Sequence, residues 1–219
     1  MTQQSEPERN EAVIRDVNRS RTVLGGRAGQ GIVALLIALL LLGGDQAGAA
    51  PRERHCIHPL GFDMNEVSNT NHRIITDFCT VALVGERWIP AAAWTTNTTY
   101  EVIPEGYTPS GATPIDDFSA KFVGAGYVID AGTKHERTYT LSAAKIVQIV
   151  TAPGSDFPTA SIMAVLPPLP PGPHTVDIFL IFSADHWDGF GVDPSANLWP
   201  AGATHCSHID FTVEHPTSK

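Results

Sequence analysis

The sequence is poor in cysteine, in lysine and in the short motifs that announce a reaction. It has three cysteines, Cys56, Cys79 and Cys206, too few for a disulfide-stapled mini-scaffold. Four lysines stand against a formal net charge of −9. Phosphate recognition needs a basic surface, so nucleic acid is not an expected partner. There is no G-x-S-x-G elbow, no H-E-x-x-H pair and no phosphate-cradling glycine loop. Familiar hydrolase, zincin and nucleotide-binding signatures are therefore missing. After residue 50 no segment carries a clear helical stripe. Residues 142–150 come nearest, and their β-branched content leaves them ambiguous.

What is present begins with one apolar run. Ile32 to Leu42 reads IVALLIALLLL without a polar interruption. Eleven helical residues reach only about 17 Å against a hydrocarbon core of about 30 Å. That length suits a signal-peptide core better than a permanent span. Ala47 and Ala49 fit a small-residue cleavage site, with the cut after Ala49. The leader before it, residues 1–30, is long for a signal peptide, and Arg15, Arg19, Arg21 and Arg27 place it on the cytoplasmic side. Cleavage is the preferred expectation. An uncleaved anchor over 31–50 is the alternative, and the only contact with membrane that the sequence implies. A buried core helix is disfavoured because the run is apolar all round.

The expected exported domain is 51–219. Residues 1–50 hold five acids and five bases, so the whole net charge belongs to this domain, as do all nine histidines. Short β-type runs recur at 74–84, 86–94, 98–103, 118–129, 136–142, 145–150, 160–166, 174–183 and 208–214. The last, from His208 to Glu214, alternates cleanly. Such spacing predicts an all-β antiparallel sandwich behind the signal or anchor helix. The proline run at 167–173 cannot be ladder strand and is expected to be a stiff connection. A Pro-Gly turn, a long apolar strand, a loop and a final alternating strand occupy the last sixty or so residues. This arrangement resembles the closing hairpin of an immunoglobulin-type sandwich in general architecture, and implies no particular function.

Cys79 shares its phase with Ile75, Val81 and Leu83, which predicts a buried thiol in a strand. Cys56 is then left to pair with Cys206, closing a long loop worth about 4–5 kcal/mol on the chain-entropy model. That bridge would draw together two H-C-x-H segments, His55/His58 and His205/His208, as candidate zinc or copper ligands. Against this, residues three apart on an extended strand face opposite ways.

The loop from Ser183 to Pro194 carries carboxylates, glycines and aromatics. Trp187, Phe190, Trp199, Asp185 and Asp188 are candidates for a partner- or ligand-binding surface, and the carboxylates for calcium. Asp116-Asp117 reads as a solvated turn rather than an acid/base pair, and Asn97-Thr98-Thr99 is a glycosylation sequon. The leading expectation is a non-enzymatic exported sandwich binding an unknown protein or small ligand through end loops. The alternative is an extracytoplasmic metal-binding protein, and the third a small secreted hydrolase.

Overall fold

The computed structural model describes residues 55–59, 61–151, 155–191 and 193–216. The apolar run at 32–42, its leader and the Ala47–Ala49 cleavage signal lie outside them. Among the described residues no helix is long and apolar enough to cross a membrane.

Two sheets face each other. One has four strands in the order β1 (Arg73–Ile75), β3 (Trp88–Thr95), β7 (Pro158–Met163) and β6 (Val147–Thr151). The other has five, in the order β2 (Val81–Leu83), β11 (Gly202–Glu214), β8 (Gly172–Phe182), β4 (Phe122–Ile129) and β5 (Arg137–Ser142). Between them lies one core, built from Ile75, Trp88, Ile162 and Leu166 on one side. Tyr127, Ile129, Ile178, Leu180, Phe211 and Val213 face them from the other. Each large apolar side chain buried this way contributes about 1.5–3 kcal/mol.

Consecutive strands close both sides. The chain leaves β1 for β2 through a hairpin, and leaves β5 for β6 through the short helix α3 (Ala143–Ile146). These crossings explain why the sheets are mixed rather than antiparallel throughout: β1 lies parallel to β3, and β2 parallel to β11. Residues 167–171 connect β7 to β8 as irregular backbone, but Gly172 and Pro173, expected to lie outside any ladder, open β8 and pair with Val213 and Thr212. The Pro167 carbonyl accepts from the Trp88 indole at 2.9 Å, and Leu169 is buried in the core.

The cysteine pairing differs from expectation. Cys56 is bonded to Cys79, and Cys206 is the free thiol. The run 74–84 is not one strand: the chain turns at Thr76–Cys79, where Thr76 accepts at its hydroxyl from the Phe78 and Cys79 amides. That turn takes Cys79 out of the phase that suggested a buried thiol. A bridge across 23 residues contributes about 3 kcal/mol on the chain-entropy model, less than the long loop would have.

Two further segments differ. Residues 98–103 are loop, not strand. The start of the 118–129 run belongs to helix α2 (Pro114–Lys121), whose signal is a capping box. The Thr113 hydroxyl accepts from the Asp116 amide, the Asp116 carboxylate accepts from the Thr113 amide, and Pro114 fills the first turn.

Candidate functional site

One end of the sandwich gathers helix α2 and parts of three connections: residues 96–113 after β3, 155–157 before β7, and 183–191 with 193–201 between β8 and β11. Helix α2 puts Asp117 and Lys121 one turn apart on its inner face, so neither is a solvated turn residue. Both are buried, and they pair at 2.8 Å.

The bonding around this pair is complete. Asp117 Oδ1 accepts from Lys121 Nζ and from the Ser110 amide at 2.6 Å. Its Oδ2 accepts from the Tyr107 hydroxyl at 2.5 Å and from His186 Nδ1 at 2.8 Å. Four donors fill the capacity of one carboxylate. Lys121 spends its other protons on the Tyr107 oxygen at 2.9 Å and the Thr108 carbonyl at 3.4 Å. Tyr107 also accepts from the Trp187 amide at 2.8 Å. His186 Nε2 takes the indole proton of Trp94 at 3.2 Å, and indole can only donate. The partners therefore assign His186 as the neutral ring with its proton on Nδ1.

Electrostatics follow the same logic. Burial alone would raise the Asp117 carboxyl. Bonds from His186, Lys121, Ser110 and Tyr107 outweigh it and hold the group well below the usual carboxylate range. Burial lowers His186 below its ordinary value, against the opposing pull of Asp117. An Asp–His pair with both ring nitrogens spent and no exposed surface on either residue has nothing left for a substrate. It is a structural knot.

The knot determines where the predicted loop residues go. Trp187 and Asp188, expected at the surface, are buried, because the strand pair β9 (His186–Trp187) and β10 (Leu198–Trp199) folds back on the core. Trp199 is half-buried and packs edge-on to Trp94 at 4.1 Å. Burial raises Asp188 to about 7, against one amide bond from Phe190. Asp185 remains exposed, accepting from the Ala201 amide at 2.8 Å. Helix α4 (Pro194–Asn197) stands between β9 and β10, and the Asn197 carbonyl accepts from the Asp188 amide at 3.1 Å.

Two of the loops are fastened to each other, and one of them to the first residue of β7. The Asn97 amide bonds the Asp188 carbonyl at 2.8 Å, the Gly191 amide bonds Glu101 at 3.2 Å, and the Thr96 amide bonds the Pro158 carbonyl at 3.1 Å. Gly189 has φ +89°, and a β-carbon there would stand 2.4 Å from Pro114, so only glycine permits this closeness. Asn97 is buried, its side-chain nitrogen donating to Glu101 and the Gly189 carbonyl, so the folded chain withholds the sequon from a glycan.

Outward from the fastened loops sits an apolar surface that sequence reasoning found only in part. Phe190, half-buried, meets Phe157 edge-on at 5.3 Å, and Phe157 is 41% exposed. Val102 and Ile103, 44% and 50% exposed, follow directly on Glu101, which bonds both residues flanking Phe190. The sequence signal was available: residues 102–103 are two adjacent β-branched residues in a segment rich in Thr, Pro and Gly.

No family model matches this chain. No curated protein and no solved structure matches it either.

The remaining histidines lie elsewhere. His55 bonds Asp63, and His58 stacks on Phe62 at 4.4 Å and meets Phe78 edge-on. His205 and His208 do share a face, because a bulge at Cys206 shifts the phase of β11. Both reach Asp177 Oδ1, at 3.1 and 2.8 Å, on the outer side of the five-stranded sheet. With Cys56 bound to Cys79, the bridge that would have joined the two H-C-x-H segments is gone. Among the described residues no group of three or more His, Cys, Asp or Glu side chains is placed to hold a metal ion. The two best-formed hollows, about 470 and 400 Å³, lie beside the disulfide and α1 (Met64–Val67), away from the knot.

Proposed function

We propose that this chain is an exported, non-enzymatic sandwich domain that holds a partner protein through the loops at the Asp117–His186 end. The observation that carries this reading is the Phe157–Phe190 pair, with Val102 and Ile103 exposed on the loop that is hydrogen-bonded to the residues on either side of Phe190. Apolar side chains held out to solvent by rigid loops lose little entropy on binding, and adjacent exposed apolar residues are a mark of interaction surfaces. A protein partner is the reading preferred over a small ligand, because exposed apolar side chains rather than a described hollow mark this end, and the hollows of about 470 and 400 Å³ lie beside the disulfide.

Export is supported by the apolar run with its Ala47–Ala49 signal and by the Cys56–Cys79 bridge, which belongs in an oxidising compartment. The long β8–β11 pairing, with β2 parallel to the last strand, agrees with an immunoglobulin-like arrangement in outline.

A photo-crosslinking residue at Phe157 tests the binding surface, with one at His135, at the opposite end, as control. A specific adduct from position 157 alone is expected in cells producing the full chain. Equal labelling from both positions, or none from 157, rejects the reading. Mass measurement of the mature N-terminus tests export, with residue 50 expected as the first.

A further inference from the structure

We infer that the partner of this end is a basic one: a protein segment bearing arginine or lysine among apolar side chains. This rests on the end-loop reading above and adds the chemistry of what binds there. The three connections, residues 96–113, 152–157 and 183–201, contain no lysine and no arginine. They carry Glu101, Glu105, Asp156, Asp185 and Asp193, all exposed. Asp116 is also exposed, on the first turn of α2. Among the described residues, Lys145 is exposed on the β5–β6 connection, while the two cationic candidates beside the knot are withdrawn. Lys121 is buried against Asp117, and His186 is buried and neutral.

The loops that carry the apolar residues are therefore charged with one sign. An acidic partner would set like charges against these carboxylates, a neutral one would leave them uncompensated, and a second copy of this acidic chain would repel at the same surface. A partner with cationic side chains around an apolar anchor satisfies both parts. The aromatic and β-branched residues supply the desolvated centre, while the carboxylates speed encounter and fix orientation. Guanidinium also stacks on exposed phenyl faces, which Phe157 offers.

The test uses the purified full chain and two short peptides. Both alternate Leu and Phe with a charged residue, which is arginine in one and glutamate in the other. Fluorescence anisotropy should show the arginine peptide binding and the glutamate peptide not. Binding should weaken at least about tenfold between about 0.05 and 0.5 M salt. Glu105→Lys with Asp156→Lys should weaken it by a similar factor, and among the described residues neither carboxylate holds a hydrogen bond that keeps the loops in place. Phe157→Ser with Phe190→Ser should abolish it.

Equal binding of both peptides, insensitive to the lysine substitutions but lost with the serine pair, overturns the basic partner while leaving the surface standing. So does an arginine peptide that fails to bind while crosslinking from position 157 succeeds. Arginine-peptide binding that survives the serine pair, with no adduct from 157, overturns both. Circular dichroism and a retained unfolding midpoint for each variant separate lost binding from lost fold.

Discussion

Several aspartates of this domain meet histidines, and two of these meetings could hardly differ more. Asp117 and His186 are both fully buried, and every donor and acceptor of the pair is used. Asp177 is buried too, but its imidazoles, His205 and His208, have side chains 44% and 48% exposed on the outer sheet face. The first pair holds an end of the sandwich together. The second decorates a strand. The difference teaches that an Asp–His contact carries no function by itself. A catalytic histidine needs a free nitrogen facing a space a substrate can enter, and the sealed pair has neither. The same saturation makes the sealed pair worth a great deal to the fold, because a half-satisfied network in a dry site is worse than none.

Breaking the sealed side should give the largest effect. Asp117→Ala leaves the Lys121 ammonium buried without its counter-charge and strips acceptors from Tyr107, His186 and the Ser110 amide. Urea unfolding should register a loss of about 3–5 kcal/mol. His208→Ala or His205→Ala on the open side should cost about 0–1 kcal/mol, since the other imidazole still bonds Asp177 and the truncated side chain is half exposed. A comparable cost for both sites would erase the distinction.

The disulfide sharpens a second contrast. Cys79→Ser should lower stability by about 3 kcal/mol. Cys206→Ser should change it by about 1 kcal/mol or less, as expected for a half-buried residue outside any bridge. Burial pushes the Cys206 thiol up to about 11, so alkylation under native conditions should be slow.

Acid and base should act on the sealed end in opposite directions. His186 lies below its ordinary 6.5, so its contribution is present above that pH and is lost as pH falls beneath it. Asp117 lies below 3.8, and its contribution is lost in turn below that value. Asp188, raised from 3.8 to about 7, works the other way. Its contribution is complete below about 3.8 and disappears as pH rises through about 7. Asp188→Asn should therefore flatten the alkaline limb of stability against pH and leave the acid limb intact. An unchanged alkaline limb would mean that Asp188 is hydrated in solution.

A further effect, about 1 kcal/mol or more but local in its mark, concerns the loops. Gly189→Ala should raise amide exchange at residues 96–101 and 188–191 while leaving the core strands as slow as before, because the clash with Pro114 is local.

Much of the sandwich was legible in period-two runs. Residues 174–183 and 208–214 fall largely in β8 and β11, although β11 starts earlier at Gly202, and residues 167–171 of the proline run form the crossover while Gly172 and Pro173 join β8. Three features escaped for definable reasons. The strand phase that hid Cys79 assumed an unbroken strand, and Thr76 turns the chain through its side chain. The bulge at Cys206 undid the alternation that was expected to separate His205 from His208. Asp117 read as a solvated turn because its four donors come from residues 107, 110, 121 and 186, and no local pattern assembles them. The loop surface was found in part: Phe190 was expected and lies there, while Trp187 and Asp188 were drawn inward by a network that only the fold reveals.

The account depends most on His186 being sealed. Nitrogen-15 NMR of its imidazole across the pH range in which the chain stays folded tests this directly. The account predicts one neutral ring, protonated at Nδ1 and unprotonated at Nε2, that does not titrate until the protein unfolds. A ring that titrates reversibly near pH 6.5, or one carrying its proton on Nε2, would contradict it.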